Sequence, residues 1–159
     1  MLKLRRALLA AFVATLIVPS MVLAYWPVAS HSSYVSRHFR DGHYGIDIAA
    51  SYGAAVLPMK FGNVRFAGWK NNCGGYQVWV SHGDGTYSAY YHLKAENVTR
   101  GQAAYGQKTV LGWVGWSGCA TGAHLHMEVW RGYPWASGSY RVNPWNYIAG
   151  GTYFPTRYQ

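Results

Sequence analysis

Five short stretches of this chain carry apolar, β-branched and aromatic residues in the pattern of strands: Asn63 to Ala67, Gln77 to Ser81, Thr86 to His92, Val110 to Val114 and His124 to Val129. Most are bounded by glycine, which predicts strands that stop at turns rather than run on. The last stretch is the most regular. Successive strand residues point to opposite faces, so Leu125, Met127 and Val129 share a core-facing side while His124 and His126 share the other. Asp84-Gly85, inside His82-Gly-Asp-Gly-Thr86, is a strong hairpin signal between two of the stretches. Helix is nearly absent, with one turn expected at Pro144 to Ile148, where proline suits the first helical position. The pattern predicts an all-β domain of antiparallel sheets joined by hairpins, with no linker, internal repeat or low-complexity tract.

The N-terminus departs from this pattern. Basic Lys3, Arg5 and Arg6 precede an apolar stretch from Ala7 to Val18, and Val22-Leu23-Ala24 follows as a small-residue cleavage site, the layout of a secretory signal peptide over residues 1–24. The stretch from Ala7 to Ala24 also reaches the lower length limit of a membrane-spanning helix, so an uncleaved anchor is the rival reading, weakened by Pro19 and Ser20. Cleavage would leave residues 25–159 as a single domain large enough for its own core. It would also lower the formal charge from +9 to +6 by removing three basic residues. The remaining excess suits an anionic polymer or membrane surface. Nucleic acid is the poorer partner, because the charges are scattered singly and an export signal opposes it.

The candidate chemistry lies in two short segments. A catalytic zinc takes three ligands of the His or carboxylate type and keeps one position open for water. His43, Asp47 and one imidazole of the pair His124 and His126 would supply that set, and the second imidazole would then be available to move protons. A single His-x-His on a strand is commonly only a surface pair. The second cluster, His43-Tyr-Gly-Ile-Asp47, changes that weighing. Aspartate occurs only at positions 41, 47 and 84. One of the three falls in the apolar stretch Ile46 to Ala50, where an unpaired carboxylate is costly to bury and a cation is its simplest partner.

Two cysteines, Cys73 and Cys119, form an even count consistent with an oxidising compartment and a disulfide. Loop entropy puts the stabilisation from that bridge at about 4 kcal/mol. A cysteine nucleophile paired with His124 or His92 is the competing reading.

The run His43-Tyr-Gly-Ile-Asp47-Ile-Ala-Ala, then Tyr91-His92-Leu93, Val98-Thr-Arg-Gly-Gln102, and Thr121-Gly-Ala-His124-Leu-His126-Met-Glu128 resembles the lysostaphin and LytM family of zinc endopeptidases, which cleave peptide bonds in bacterial peptidoglycan. The likeness runs from about Val35 to Tyr147 with the motifs in the family's order. It implies one zinc ion per chain held by His43, Asp47 and His126, with His92 and His124 flanking the water as general base and transition-state stabiliser. Which of the two takes the proton stays open. The resemblance also makes Tyr34 the nearest candidate for a substrate-assisting tyrosine, and makes the cysteine loops walls of the substrate groove. It implies a barrel-sandwich-like, duplicated-hybrid-motif architecture, whose pattern is similar over Gly101 to Gly112. Ala123, Met127 and Ser51 depart from the common family residues, but none of the three is a ligand position.

Several expectations follow. The only glutamates are Glu96 and Glu128 and no His-Glu-x-x-His segment exists, so histidine has to do the work of the base. Glu128 follows His126 by two on the same strand face and is a candidate to orient it. His31, His38 and His82 are explained more cheaply by solvent or turn hydrogen bonds. Of the aromatics near the presumed groove, Trp69, Trp79, Trp113 and Trp116 are too many to be wholly core, and one or two are expected to stack on sugar or peptide. The enzyme would be an exported monomer acting on peptidoglycan peptides, its basic surface meeting anionic wall polymers. The alternatives are a catalytically silent wall-binding activator and a secreted peptidase for Gly-rich proteins.

Overall fold

The computed structural model describes residues 24–148. The leader lies outside them except for Ala24, which is buried and bridges Ile148. Eleven strands form one antiparallel sheet system: β1 Val28–Ala29, β2 Tyr34–Arg37, β3 Ile46–Ala49, β4 Ala55–Val56, β5 Gly62–Lys70, β6 Gly75–Ser81, β7 Thr86–Glu96, β8 Ala103–Ala104, β9 Gly112–Val114, β10 His124–Arg131 and β11 Tyr140–Val142. All five expected strands are present, and the expected helical turn is a 3-10 turn at Pro144–Asn146 with Asn143 capping the Trp145 N–H. Among the described residues no helix is long and apolar enough to cross a membrane.

The 11-residue β7 organises the sheet. One edge pairs with β6. The other pairs first with β10, from Thr86↔Arg131 to Tyr91↔His126, and then with β9, from Leu93↔Val114 onward. His92 stands at the change of partner, with φ +61°. On its far side β10 pairs with β3, which places His126 opposite Asp47, and β3 in turn pairs with β2. The β6–β7 turn bears out the Asp84-Gly85 signal. The His82 N–H donates to the Thr86 carbonyl (3.0 Å), and Gly83 and Gly85 supply the positive φ that the reversal needs.

Strand alternation separates two apolar clusters. Leu125, Met127 and Val129 of β10 join Ile46, Ile48, Val78, Val80, Tyr90 and Leu93 in the main core, all fully buried. Trp26 and Val28 also belong to this core, so the chain ahead of β2 packs with the sheet. The opposite face of β6, β7 and β10 carries a smaller cluster of Trp79, Ala89, Tyr91 and Trp130. His126 and Glu128 lie on this second face, beside an aromatic floor.

Candidate active site

β3, β7 and β10 bring the sequence-predicted residues together. The ligand atoms of His43, Asp47 and His126 all lie within 4.8 Å of one another. Asp47 Oδ1 is 2.6 Å from His126 Nδ1, 3.1 Å from His43 Nε2 and 3.8 Å from His124 Nε2. The His92 and His124 rings face each other with centroids 4.8 Å apart, and His92 lies 6.0 Å from His126. Gly45 makes the cluster's closeness feasible. A side chain there would meet His126 Cε1 and the Met127 carbonyl at 2.6 Å, so the His126 ring packs against bare backbone.

Three of the four imidazoles share one hydrogen-bonding scheme. His43 Nδ1 donates to the His38 carbonyl, His92 Nδ1 to the Ser117 carbonyl and His124 Nδ1 to the Gly122 carbonyl, each at 2.9 Å. A carbonyl can only accept, so in the neutral ring Nε2 of each carries the lone pair. His43 Nε2 is buried and, although 3.1 Å from Asp47 Oδ1, has no aligned hydrogen-bond partner. A buried lone pair beside a buried carboxylate is a donor set that fits a divalent cation accepting nitrogen and oxygen ligands, zinc among them. On the far side of His126, Nε2 lies 3.5 Å from Glu128 Oε1. Glu128 is buried and accepts from Tyr91 (2.6 Å), Trp130 Nε1 (2.8 Å) and Arg141 Nε (2.8 Å). It is therefore a fixed acceptor positioned to orient the His126 ring.

The electrostatics follow from this packing. Burial alone would raise the Asp47 carboxyl, but the hydrogen bond to His126 and the surrounding imidazoles bring it down to about 2. Burial disfavours the charged His126 ring, yet Asp47 and Glu128 together push it up to about 9. The proton shared by this pair has to leave before His126 Nδ1 can ligate a cation. Burial also raises the Glu128 carboxyl, while His126, Tyr91 and Arg141 outweigh it and hold the group below its ordinary value. His92 is brought down to about 4, chiefly by burial and then by the neighbouring His124 and His126, against the pull of the Ser117 carbonyl. It is neutral across the physiological range.

A cleft of about 350 Å³ opens over the cluster, walled by the loops of Cys73 and Cys119. The expected disulfide joins these two cysteines, and the Cys119 N–H donates to the Cys73 carbonyl at 2.9 Å. Gly118, at φ +71°, lets the loops touch, since a side chain there would strike the Cys73 carbonyl. Tyr34 on β2 pairs with Ala49, which pairs in turn with His124, so it stands two strands from the cluster on the same face. It is 64% exposed, and Arg37 of the same strand lines the cleft. The carbonyls of His38, Ser117 and Gly122, the Arg141–Glu128 pair and Trp135 escape the sequence reading. Only Glu128 has a signal there, its i+2 spacing from His126. His82, expected at a turn, bonds instead to the Phe61 carbonyl and Ser88 across the sheet, well away from the cluster.

Residues 41–144 match the family described as Peptidase family M23. The chain is 33% identical over 122 residues to lysostaphin of Staphylococcus staphylolyticus, covering 72% of this chain and 25% of that protein. It is 38% identical over 86 residues to the DD-carboxypeptidase/endopeptidase Mpg of Neisseria meningitidis, covering 54% of this chain and 19% of that one. The catalytic domain of the antimicrobial peptidase lysostaphin from Staphylococcus simulans superposes with a TM-score of 0.63 at 26% identity, over 76% of this chain and 93% of that chain. The chain thus spans about a quarter or less of the length of these curated relatives.

Proposed function

The chain belongs to peptidase family M23, and from that premise we propose that it is a zinc-dependent endopeptidase that hydrolyses peptide bonds in bacterial peptidoglycan. The observation that carries the reading is the convergence of His43, Asp47 and His126 on one point within the matched segment. In this reading they hold the ion. Bound zinc supplies Lewis acidity, making a nucleophile of water near neutral pH and polarising the scissile carbonyl.

The chain's own residues supply the proton transfers and the positioning. Both His92 and His124 have Nδ1 committed to a carbonyl, so Nε2 is the atom that takes and returns a proton. His92 is neutral down to about pH 4 and can act as a base without first losing a proton. With the rings 4.8 Å apart over one cleft, either can accept the proton of the water at Nε2 and, as the imidazolium so formed, return it to the leaving amine. Glu128 holds His126 in orientation, and the Cys73–Cys119 bridge fixes the cleft wall.

We further propose that residues 1–24 direct export and that residues 25–159 act as one extracytoplasmic domain, a location in keeping with a disulfide. The test is metal content together with clearance of purified peptidoglycan by the wild type, His126→Ala, and a chelated, zinc-restored sample. About one zinc per chain, with clearance lost in the variant and restored by metal, supports the proposal. Bound zinc without clearance would leave the substrate open, whereas neither zinc nor clearance would move the protein to the wall-binding class.

A further inference from the structure

A second cavity, of about 600 Å³, adjoins the cleft, and Asn72 and Trp135 line both. It lies between the β5–β6 turn, which carries Lys70, Asn71 and Asn72, and the β10–β11 loop, which carries Tyr133 and Trp135. Trp79 of β6 provides the floor.

The polar side chains of its β5–β6 edge offer donors. Asn72 Oδ1 already accepts from the Gly74 N–H (3.2 Å) and from Gln77 Nε2 (2.8 Å), which leaves the amide NH₂ to face outward. Asn71 Oδ1 accepts from Trp69 Nε1 (2.8 Å), so its NH₂ is likewise the unengaged end. The Trp79 N–H is taken up by Gln77 Oε1 at 3.0 Å. Lys70 Nζ rests over the Phe66 and Trp79 rings, 4.8 and 5.1 Å from their centroids, and among the described residues no carboxylate pairs with it. No acidic residue lines the cavity.

The aromatic wall is held in place at a cost. Trp135 has φ +67°, a conformation that disfavours a bulky side chain, yet its ring is stacked 4.3 Å from the Arg141 guanidinium that also binds Glu128. The wall of the second cavity is thereby coupled to the residue that faces His126.

A cavity with an apolar floor, a cation and two amide donors is complementary to a negatively charged acceptor on an aliphatic backbone. We infer that this cavity is a substrate subsite that takes a free carboxylate of the peptide, bound by Lys70, Asn71 and Asn72 above Trp79 and Tyr133. The inference rests on the peptide-cleaving reading above and adds to it a charge preference on the Trp135 side of the cluster.

The test uses the zinc-loaded full chain and the stem peptide L-Ala-γ-D-Glu-L-Lys-D-Ala in four forms: both carboxylates free, either one amidated, and both amidated. Binding is read by calorimetry and cleavage by chromatography of the same mixtures. Amidation of one carboxylate is expected to weaken binding to the wild type about tenfold. Lys70→Met should bring that ratio to about one and Lys70→Arg should keep it, and the wild-type ratio should shrink at high salt. Equal or undetectable binding of all four forms by the wild type overturns the subsite, as does full discrimination by Lys70→Met. Carboxylate-dependent binding with no cleavage of peptide or peptidoglycan would sustain the subsite and overturn the peptidase reading. Cleavage without carboxylate preference would do the reverse.

Discussion

Gly45→Ala isolates the contact on which the cluster depends. Gly45 is outside the left-handed region, so alanine meets no backbone penalty there. The added methyl would lie 2.6 Å from His126 Cε1 and from the Met127 carbonyl, and 2.7 Å from His126 Nε2. Comfortable contact needs about 3.5 Å, so roughly 1 Å has to be found by swinging the ring or parting β3 from β10. Overpacking of this kind costs about 1–3 kcal/mol of stability. The larger effect falls on the metal, because coordination distances tolerate only about 0.2 Å and disturbing a ligand's support typically lowers affinity ~10–100-fold. Gly122→Ala is the control, since a side chain there meets nothing within 4 Å and the residue's φ is not positive. Zinc competition against a chromophoric chelator, with thermal melts alongside, reads both effects. If Gly45→Ala binds zinc as the wild type does and melts with Gly122→Ala, the glycine is not what shapes the cluster.

Replacing Cys73 and Cys119 by serine opens a loop of 46-residue separation, for a loss of about 4 kcal/mol and roughly 10–20 °C in Tm; an unchanged melt would show that the bridge adds nothing. Zinc uptake should expel the His126 proton, so affinity should rise about tenfold per pH unit from about 6.5 towards about 9 and then flatten, whereas pH-independent affinity would sink that assignment. Without metal the sign differs for the two partners. The raised His126 stabilises fully below about 6.5 and loses its contribution as pH rises through about 9, while the lowered Asp47 contributes above about 4 and is lost as pH falls through about 2. Arg141→Met strips Glu128 of its cation and should cost about 3 kcal/mol together with at least ~tenfold in zinc affinity; melts and metal titration that match the wild type would mean that Glu128 does not depend on Arg141.

What the sequence made legible follows from periodicity. β10 declares both its faces, because Leu125, Met127 and Val129 alternate with His124 and His126, and the structure buries the first set and leaves the second partly open. β5, β6 and β7 are long enough for their composition to mark them. β1, β4 and β8 are two-residue strands that no periodicity can reveal. β3 is four residues long, with Ile46 and Ile48 inward and Asp47 outward. Four residues are too few for that alternation to mark a strand, and Asp47 is what makes the segment stand out. The support of the candidate site was hidden for another reason. The acceptors that fix His43, His92 and His124 are backbone carbonyls, which every residue possesses, and only the chain's path decides which ones face an imidazole. Arg141 reaches Glu128 through the β10–β11 pairing, in which Trp130 stands opposite Arg141, a register invisible without the turn geometry. Tyr34 comes from the family resemblance alone, and only the β2–β3–β10 register, with Tyr34 opposite Ala49 and Ala49 opposite His124, gives it a place relative to the cluster.

His92 shows most directly how this fold trades stability for a site. It sits where β7 leaves β10 and joins β9, in a left-handed conformation that costs an ordinary residue roughly 1–2 kcal/mol. Asparagine is among the residues that occupy that conformation most readily and would make the corner at no greater cost. If the corner alone mattered, asparagine would serve as well as histidine. His92→Asn is therefore expected to cost no more than about 1 kcal/mol of stability, that of the lost bond to the Ser117 carbonyl. Zinc affinity should be unchanged, since His92 is not in the ligand cluster. Turnover of peptidoglycan peptides should fall about 10²–10⁴-fold, the range attributed to a positioned base. Melting, metal titration and single-turnover cleavage on one preparation separate these effects. A variant that cleaves at the wild-type rate would reduce His92 to a structural corner and leave His124 as the sole base. Loss of zinc along with turnover would instead mean that the imidazole supports the metal, and the division of labour proposed between ligands and bases would fail.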